Sequence, residues 1–318
     1  MGFRLHQRLI FFETLKRPLM RTITLGNITI DRVVENETIF LDAAWMYPAV
    51  QTEMLQRYQQ ELGPSLIHPE TLKLGLSFHS FLIRTRGKSI LVDTCNGNHK
   101  QRGARMQWQH MLDSPDYLRN LAGFGLQPKD IDYVLCTHLH TDHIGWNTRL
   151  EDGRWVPTFP NAKYVMARQE FDHFNRLHAA KPDYPVGHGS FVDSVLPIVE
   201  AGQAMFVDMD HMIEGTLDDG VWLEPAPGHT PGHVTIHVKG GGVEAIMTGD
   251  MFHHPIVFLE PLETQHDFDA AMNNASRRKV LEKLADTQDL LLTAHFPDPT
   301  AGRVCSCPSG FSFKFLDK

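Results

Sequence analysis

The sequence predicts an α+β fold: a four-layer αββα sandwich in which two mixed sheets pack face to face and helices cover their outer faces. Three observations carry this. Strand-like and helix-like segments alternate in two successive halves of the chain. Apolar strand-like runs in both halves end in histidine or aspartate, so the strand ends of the two halves meet in one groove. No internal repeat and no Ser/Gly linker divides the 318 residues, which reads as a single domain over 1–318.

The elements follow in order. Residues 1–20 form an N-terminal extension. Residues 21–35 alternate with the period of a strand and carry a turn at Gly26-Asn27. Residues 77–95 read as a hairpin turning at Arg86-Gly87-Lys88. Residues 114–126 begin as a helix, with Ser114 as N-cap, Pro115 behind it, and Gly123 and Gly125 at its end. Tyr133-Val134-Leu135-Cys136 is a buried strand. A second set opens with a strand from residue 162, followed by helices at 168–178 and 190–202. Strands recur at 204–208, 221–225, 233–238 and 243–248, and a long helix over 267–286 precedes the last strand at 289–293.

Composition narrows the function classes. With 42% hydrophobic and 21% charged residues the chain can bury a large core. The net charge of −8, and no stripe of Lys and Arg interleaved with aromatics, argue against a nucleic-acid partner. No segment approaches the ~18 uninterrupted apolar residues of a membrane span. The N-terminal stretch has basic residues but only a short apolar patch and no small-residue cleavage site before Lys16-Arg17-Pro18, unlike a secretory signal. The cysteines at 95, 136, 305 and 307 are too few for a disulfide framework, and Cys305-x-Cys307 lacks the second pair of a structural zinc site. Free thiols in a cytoplasmic protein are the expectation.

The chemistry concentrates in Thr137-His138-Leu139-His140-Thr141-Asp142-His143, directly after that buried strand. His138 and His140 are two residues apart and share a face if the extended geometry persists. Asp142 and His143 follow after the chain has turned, so they approach from a second direction. Imidazole and carboxylate are the donors zinc accepts, and four of them exceed what one catalytic ion with an open position requires. A two-metal site needs about six or seven ligands. The C-terminal half supplies more: His229 in a Gly/Pro-punctuated loop, Asp250 after the strand Glu244-Ala245-Ile246-Met247, and His295 after Leu290-Leu291-Leu292.

In these residues the chain resembles the metallo-β-lactamase-fold hydrolases, whose signature is the H-x-H-x-D-H turn followed by a Gly-His loop, an Asp and a last His. The resemblance spans Asp93 to His295 and falls nearest the lactonase and organophosphate-hydrolase-like branch. It implies two divalent ions, zinc by choice of ligands: His138, His140 and His229 at the first, Asp142, His143 and His295 at the second, and Asp250 bridging. Asp93 matches a buried aspartate that accepts a ring N–H from a ligand histidine, with a turn cap as its other reading. His233 is expected to hydrogen-bond within its loop rather than bind metal, and His173, His178, His188, His211 and His237 to be ordinary surface or packing residues. The stretch around 170–215 is an insertion relative to the smallest members, and the loop near its middle could form one wall of the pocket. Residues 42–48 could form another wall, a cover for the core, or a homodimer contact.

Two ions sharing a hydroxide would supply a nucleophile near neutral pH, with Asp142 accepting a proton and no serine or cysteine nucleophile required. The expected activity is hydrolysis of a small ester or lactone, a small-molecule substrate. One departure stands out: lactonases of this type tend to carry a tyrosine a few residues after the bridging aspartate, whereas this chain has His253, which could donate a hydrogen bond in its place. Phosphotriester hydrolysis and hydrolytic dehalogenation remain alternatives on the same site. Iron redox chemistry is less favoured, because diiron relatives would carry a carboxylate at one early histidine and His140 is present here. Trp146 either lines the pocket or packs.

Overall fold

Alternation of side chains along short apolar strands builds the layers. The structure, a computed structural model, describes residues 22–316 except 106, 107 and 182; the expected extension at 1–20 lies outside the described residues. The first half supplies β1 (Ile23–Leu25), β2 (Ile28–Leu41), β3 (Leu74–Thr85), β4 (Lys88–Val92), β5 (Tyr133–Leu135), a separate hairpin of β6 (Thr148–Glu151) and β7 (Arg154–Pro157), then β8 (Lys163–Ala167) and β9 (Ala204–Val207). Its seven-stranded sheet runs β1-β2-β3-β4-β5-β8-β9, antiparallel through β4 and parallel from there on. The second half supplies β10 (Met212–Gly215), β11 (Gly220–Pro225), β12 (Val234–Gly240), β13 (Val243–Met247), β14 (Leu290–Leu292), β15 (Ala301–Cys307) and β16 (Gly310–Phe315), which pair in sequence order.

Successive residues of one strand serve different cores. In β5, Leu135 faces the second sheet, where it joins Val92, Val165, Val234, Ile236, Met247 and Leu292, while Val134 faces outward with Leu91, Tyr164 and Met166. In β13, Ala245 and Met247 point inward and Ile246 points out. The outward face of the first sheet is covered by α1 (Ala43–Met46), α2 (Thr52–Leu62), α3 (Asp116–Gly123) and α4 (Arg168–Ala180), which contribute Met46, Leu55, Tyr117, Leu121 and Phe174 to that core. A short α5 (Leu196–Glu200) adds Ile198. The outward face of the second sheet is covered by α6 (Ala270–Leu284), through Val280 and Leu284. The result is the four-layer sandwich, with parallel strands buried on both faces at its centre.

Several local expectations change. The strand at 289–293 is not the last: β15 and β16 follow, and their run of Gly302, Arg303, Cys305 and Ser306 gives little strand signal on its own. The helix expected at 114–126 covers only 116–123, because Pro115, not Ser114, occupies the cap position; Ser114 Oγ instead accepts the Asp116 N–H at 3.2 Å. The helix expected at 190–202 divides into a π-turn at Phe191–Val195 and α5. The turn at Gly26-Asn27 forms as expected, but β2 then runs on to Leu41. All four cysteines are free, Cys95 and Cys136 buried and the other pair on β15.

Candidate metal centre

Strand ends deliver the donors. The chain leaves β5 at Leu135 and turns through His138, His140, Asp142 and His143. His229 comes from the loop between β11 and β12, Asp250 from the turn after β13, and His295 from just beyond β14. Because β5, β13 and β14 sit centrally in their sheets, these ends converge on one groove. His138, His140, His229 and Asp250 bring ligand atoms within 4.8 Å of one another, and so do Asp142, His143, Asp250 and His295. Asp250 belongs to both sets.

The turn before Asp250 tolerates only glycine. Gly249 has a φ of +50°, and a Cβ there would lie 2.6 Å from His233 Nε2 and 2.8 Å from Thr137 Oγ1.

Hydrogen bonds at the back of each ring fix which nitrogen faces the centre. His143 Nδ1 lies 2.8 Å from Asp93 Oδ2, His229 Nδ1 is 2.9 Å from Asp267 Oδ1, and His295 Nδ1 is 3.0 Å from the Ser77 carbonyl. Each of these oxygens can only accept, so each Nδ1 carries the proton and each Nε2 turns a lone pair inward. His138 is held likewise: its Nδ1 is 3.0 Å from Thr137 Oγ1, and that hydroxyl donates to Asp93 Oδ2 at 2.8 Å. The inward nitrogens then crowd together, with His143 and His295 Nε2 atoms 3.3 Å apart and His140 Nδ1 2.9 Å from His229 Nε2. His138 Nε2 is buried without a hydrogen-bond partner among the described residues. Neutral lone pairs converging on a carboxylate are stable only around cations, so the donor set fits bound metal.

Protonation tells the same story from the other side. The His229 imidazole rises to about 9, since hydrogen bonds to Asp250 and Asp267 overcome the opposing effect of burial. Burial also works against charge on His143 and His295, yet Asp250 raises both above the usual histidine value. Burial alone would raise Asp250, but His143, His295 and His253 hold it well below the carboxylate range. With burial dominating, His138 and His140 are pushed down and remain neutral. Without metal, protons on three rings would substitute for the missing cations.

Further residues close the site. Asp93 makes the expected ring contact, its φ of +57° letting the carboxylate reach His143 and Thr137 together. Glu170 on α4 was not anticipated: buried, it accepts the Leu139 N–H at 3.0 Å and the Gly232 N–H at 2.9 Å, linking the two histidine loops. Asp267 was missed as well, although its position just before the long helix, in Gln265-His266-Asp267-Phe268, is an unusual place for a His-Asp pair. His253 Nε2 lies 3.2 Å from Asp250 Oδ2 and faces the pocket. His233 departs from expectation: neither ring nitrogen has a partner among the described residues, and the ring packs 5.2 Å from that of His138. His173 and His188 prove to line the pocket, and His237 is buried in an ion-pair cluster with Glu244 and Lys283. Trp146 packs: it stacks on Tyr117 and donates to Glu35 Oε1 at 2.6 Å.

The pocket above the donors measures about 380 Å³. Leu41, Trp45 and Met46 line it, and so do Phe174, Leu177, Tyr184, Val186 and His188, so parts of 42–48 and of the loop around 184–188 contribute to its walls.

A sheet-on-sheet sandwich with a histidine-carboxylate cradle between strand ends defines a metal-site protein of one architecture. The family model described as the metallo-beta-lactamase superfamily matches residues 77–295, and the chain belongs to that superfamily. Among curated proteins it is similar to an N-acyl homoserine lactonase of Azorhizobium caulinodans, 26% identical over 153 residues, covering 48% of this chain and 53% of that protein. The chain thus matches about half the length of that lactonase. A probable metallo-hydrolase of Mycobacterium tuberculosis is 26% identical over 249 residues, covering 71% and 76%. Among solved structures, the dizinc quorum-quenching lactonase AidC, in complex with a product, superposes with a TM-score of 0.73 at 22% identity over 94% of this chain and 97% of that one. The hydrolase AbOPH gives 0.74 at 21% identity, over 93% and 97%. These two likenesses bear on the fold. No helix among the described residues is long and apolar enough to cross a membrane.

Proposed function

We propose that the chain is a metal-dependent hydrolase that cleaves a small ester or lactone with two zinc-like ions. The carrying observation is the convergence of His143, His229 and His295 Nε2 on the two oxygens of Asp250, at 2.9, 3.3 and 2.8 Å. His138, His140 and His229 would hold one ion and Asp142, His143 and His295 the other, with Asp250 common to both sets. Ions bound there would supply an ionised water near neutral pH and polarise a carbonyl oxygen.

The protein's own groups do the rest. Asp142, held ionised by His143 against the effect of burial, would take up the proton released as a bound water ionises and return it to the leaving oxygen. His253, kept neutral mainly by burial, faces Asp250 Oδ2 through Nε2 at 3.2 Å and steadies that carboxylate. The aromatic walls exclude water from the reacting bond and accept an apolar acyl group. The lactonase and metallo-hydrolase names of the relatives support this choice of reaction.

Metal analysis of freshly purified protein is expected to give about two equivalents of zinc-like metal per chain. Screened against a panel of aryl esters, acyl-homoserine and simple lactones, phosphotriesters and halogenated aromatics, the same preparation should turn over members of the ester or lactone classes. Turnover confined to the phosphotriesters or halogenated aromatics of that panel would move the reading to the alternative electrophiles. One equivalent or none, or no turnover at all, would overturn it.

Asp93→Asn tests the support behind His143. Losing the charge and one of the two acceptor oxygens behind Nδ1–H should weaken zinc affinity by about 10–100-fold, read by competition with a chromogenic chelator. Unchanged affinity would show that Asp93 is only a turn residue.

A further inference from the structure

The pocket contains a cation that makes no ion pair among the described residues. Neighbouring cations are committed: Arg102 Nη1 and Nη2 donate to Asp193 at 2.7 and 2.8 Å, and Lys100 lies 3.5 Å from the same carboxylate. Arg105, one turn further along, lines the pocket yet makes no ion pair or side-chain hydrogen bond among the described residues, and its Nε is buried without a partner. Its backbone is fixed, with the N–H donating to the Arg102 carbonyl at 2.7 Å and its own carbonyl accepting from Gln109 at 3.1 Å. Its guanidinium carbon sits 5.3 Å from the Trp45 ring centre and 5.1 Å from that of Trp108. A guanidinium held against indole rings keeps its planar N–H edge free for an oxygen ligand.

Charge points to the kind of ligand. Resting on the two-metal reading, Asp142, Asp250, Asp267 and a shared hydroxide would offset a pair of dications, which leaves Arg105 as the uncompensated positive charge of the pocket. A partly buried, unpaired guanidinium is costly unless an anion comes to it. The planar fork matches a carboxylate.

We propose that Arg105 sets specificity by binding a carboxylate carried by the substrate, so that this pocket takes esters or lactones bearing a second, anionic group, with the acyl chain between lying along Trp45 and Trp108. Arg105 touches substrate away from the reacting bond, and its contribution appears in the preference between substrates.

The test compares two matched 4-nitrophenyl esters, a neutral hexanoate and the monoester of adipic acid, on the zinc-loaded enzyme. Wild type should favour the carboxylate-bearing ester by about 30-fold in kcat/KM, the worth of one charge-assisted pair. Arg105→Met should bring that ratio close to one, mainly through KM, and Arg105→Lys, which keeps charge but not the fork, should fall between. Equal use of the two esters by wild type, or a preference surviving in Arg105→Met, would overturn the proposal.

A binding arm separates this from failure of the hydrolase reading. If neither ester turns over, calorimetry with adipate and hexanoate on the zinc-loaded protein decides. Both acids can reach the metals with one carboxylate, and only adipate has a second. Tighter adipate binding in wild type that disappears in Arg105→Met sustains the assignment, and equal affinities reject it. Thermal melts of each variant establish that it is folded.

Discussion

Replacing Asp250 with alanine is expected to lower turnover by about 10³-fold or more and to empty both metal positions, with the far-UV circular dichroism nearly unchanged. One carboxylate here serves five rings: Oδ1 lies 2.9 Å from His143 Nε2 and 2.8 Å from His295 Nε2, while Oδ2 lies 3.3 Å from His229, 3.2 Å from His253 and 3.7 Å from His138. Truncation removes the anion shared by both ligand sets, and metal-derived stabilisation of several kcal/mol translates into roughly three orders of magnitude in rate. The fold should survive. Asp250 stands in a turn after β13, whose pairing with β12 and β14 does not involve its side chain. Asp250→Asn, of the same shape and without the charge, should retain more metal than alanine but less than wild type. Two bound equivalents with activity within tenfold of wild type in Asp250→Ala would show that the bridge is dispensable.

The seven residues that converge there were legible in the sequence because six of them follow an apolar run and the seventh, His229, sits in a Gly/Pro-punctuated loop between two strands, and a buried strand has little other reason to end in an imidazole or a carboxylate. The layered fold was legible for a related reason: β5, β13 and β14 are so apolar that both faces must be covered. What escaped was whatever depended on contacts between distant segments. Glu170 reads as an ordinary acidic residue in the first turn of α4, and only the fold brings it against Leu139 and Gly232. Arg105 is one of many surface-type cations until Trp45 and Trp108 are seen beside it. Asp267 was folded into the helix expected at 267–286, whereas α6 starts at Ala270 with Asp269 as its cap, which frees Asp267 to reach His229. His233 erred in the opposite direction. A histidine in a Gly-rich loop suggests a hydrogen bond, but tight packing under Gly249 and His138 decides its position.

The metal-free protein is expected to lose stability as pH rises from about 6.5 to 9, and the stabilisation gained on adding zinc to grow over the same interval. His143, His229 and His295 are all raised above the ordinary 6.5, His229 to about 9. Between those limits the folded chain holds protons that the unfolded chain has released, so stability falls with rising pH through the folded value. One group opposes the trend: burial lowers Lys100 to about 7, so above that value its contribution rises with pH, and the three raised histidines outnumber it. Asp142 and Asp250 are depressed below 3.8, so their contribution is complete above that and is lost only in acid. His138, His140 and His233 are lowered, which places their effect below 6.5. For His229 alone the shift corresponds to roughly 3 kcal/mol, or on the order of 5–10 °C in Tm for a chain of this size. Zinc reverses the trend, because it takes the lone pairs those protons would occupy and binds more tightly as they leave. Thermal melts with and without chelator at pH 6.5 and pH 9 measure both slopes. A chelated protein whose Tm stays level or climbs across this range would mean that the three rings are not held protonated around Asp250, and the charge balance assigned to the empty cradle would then be wrong.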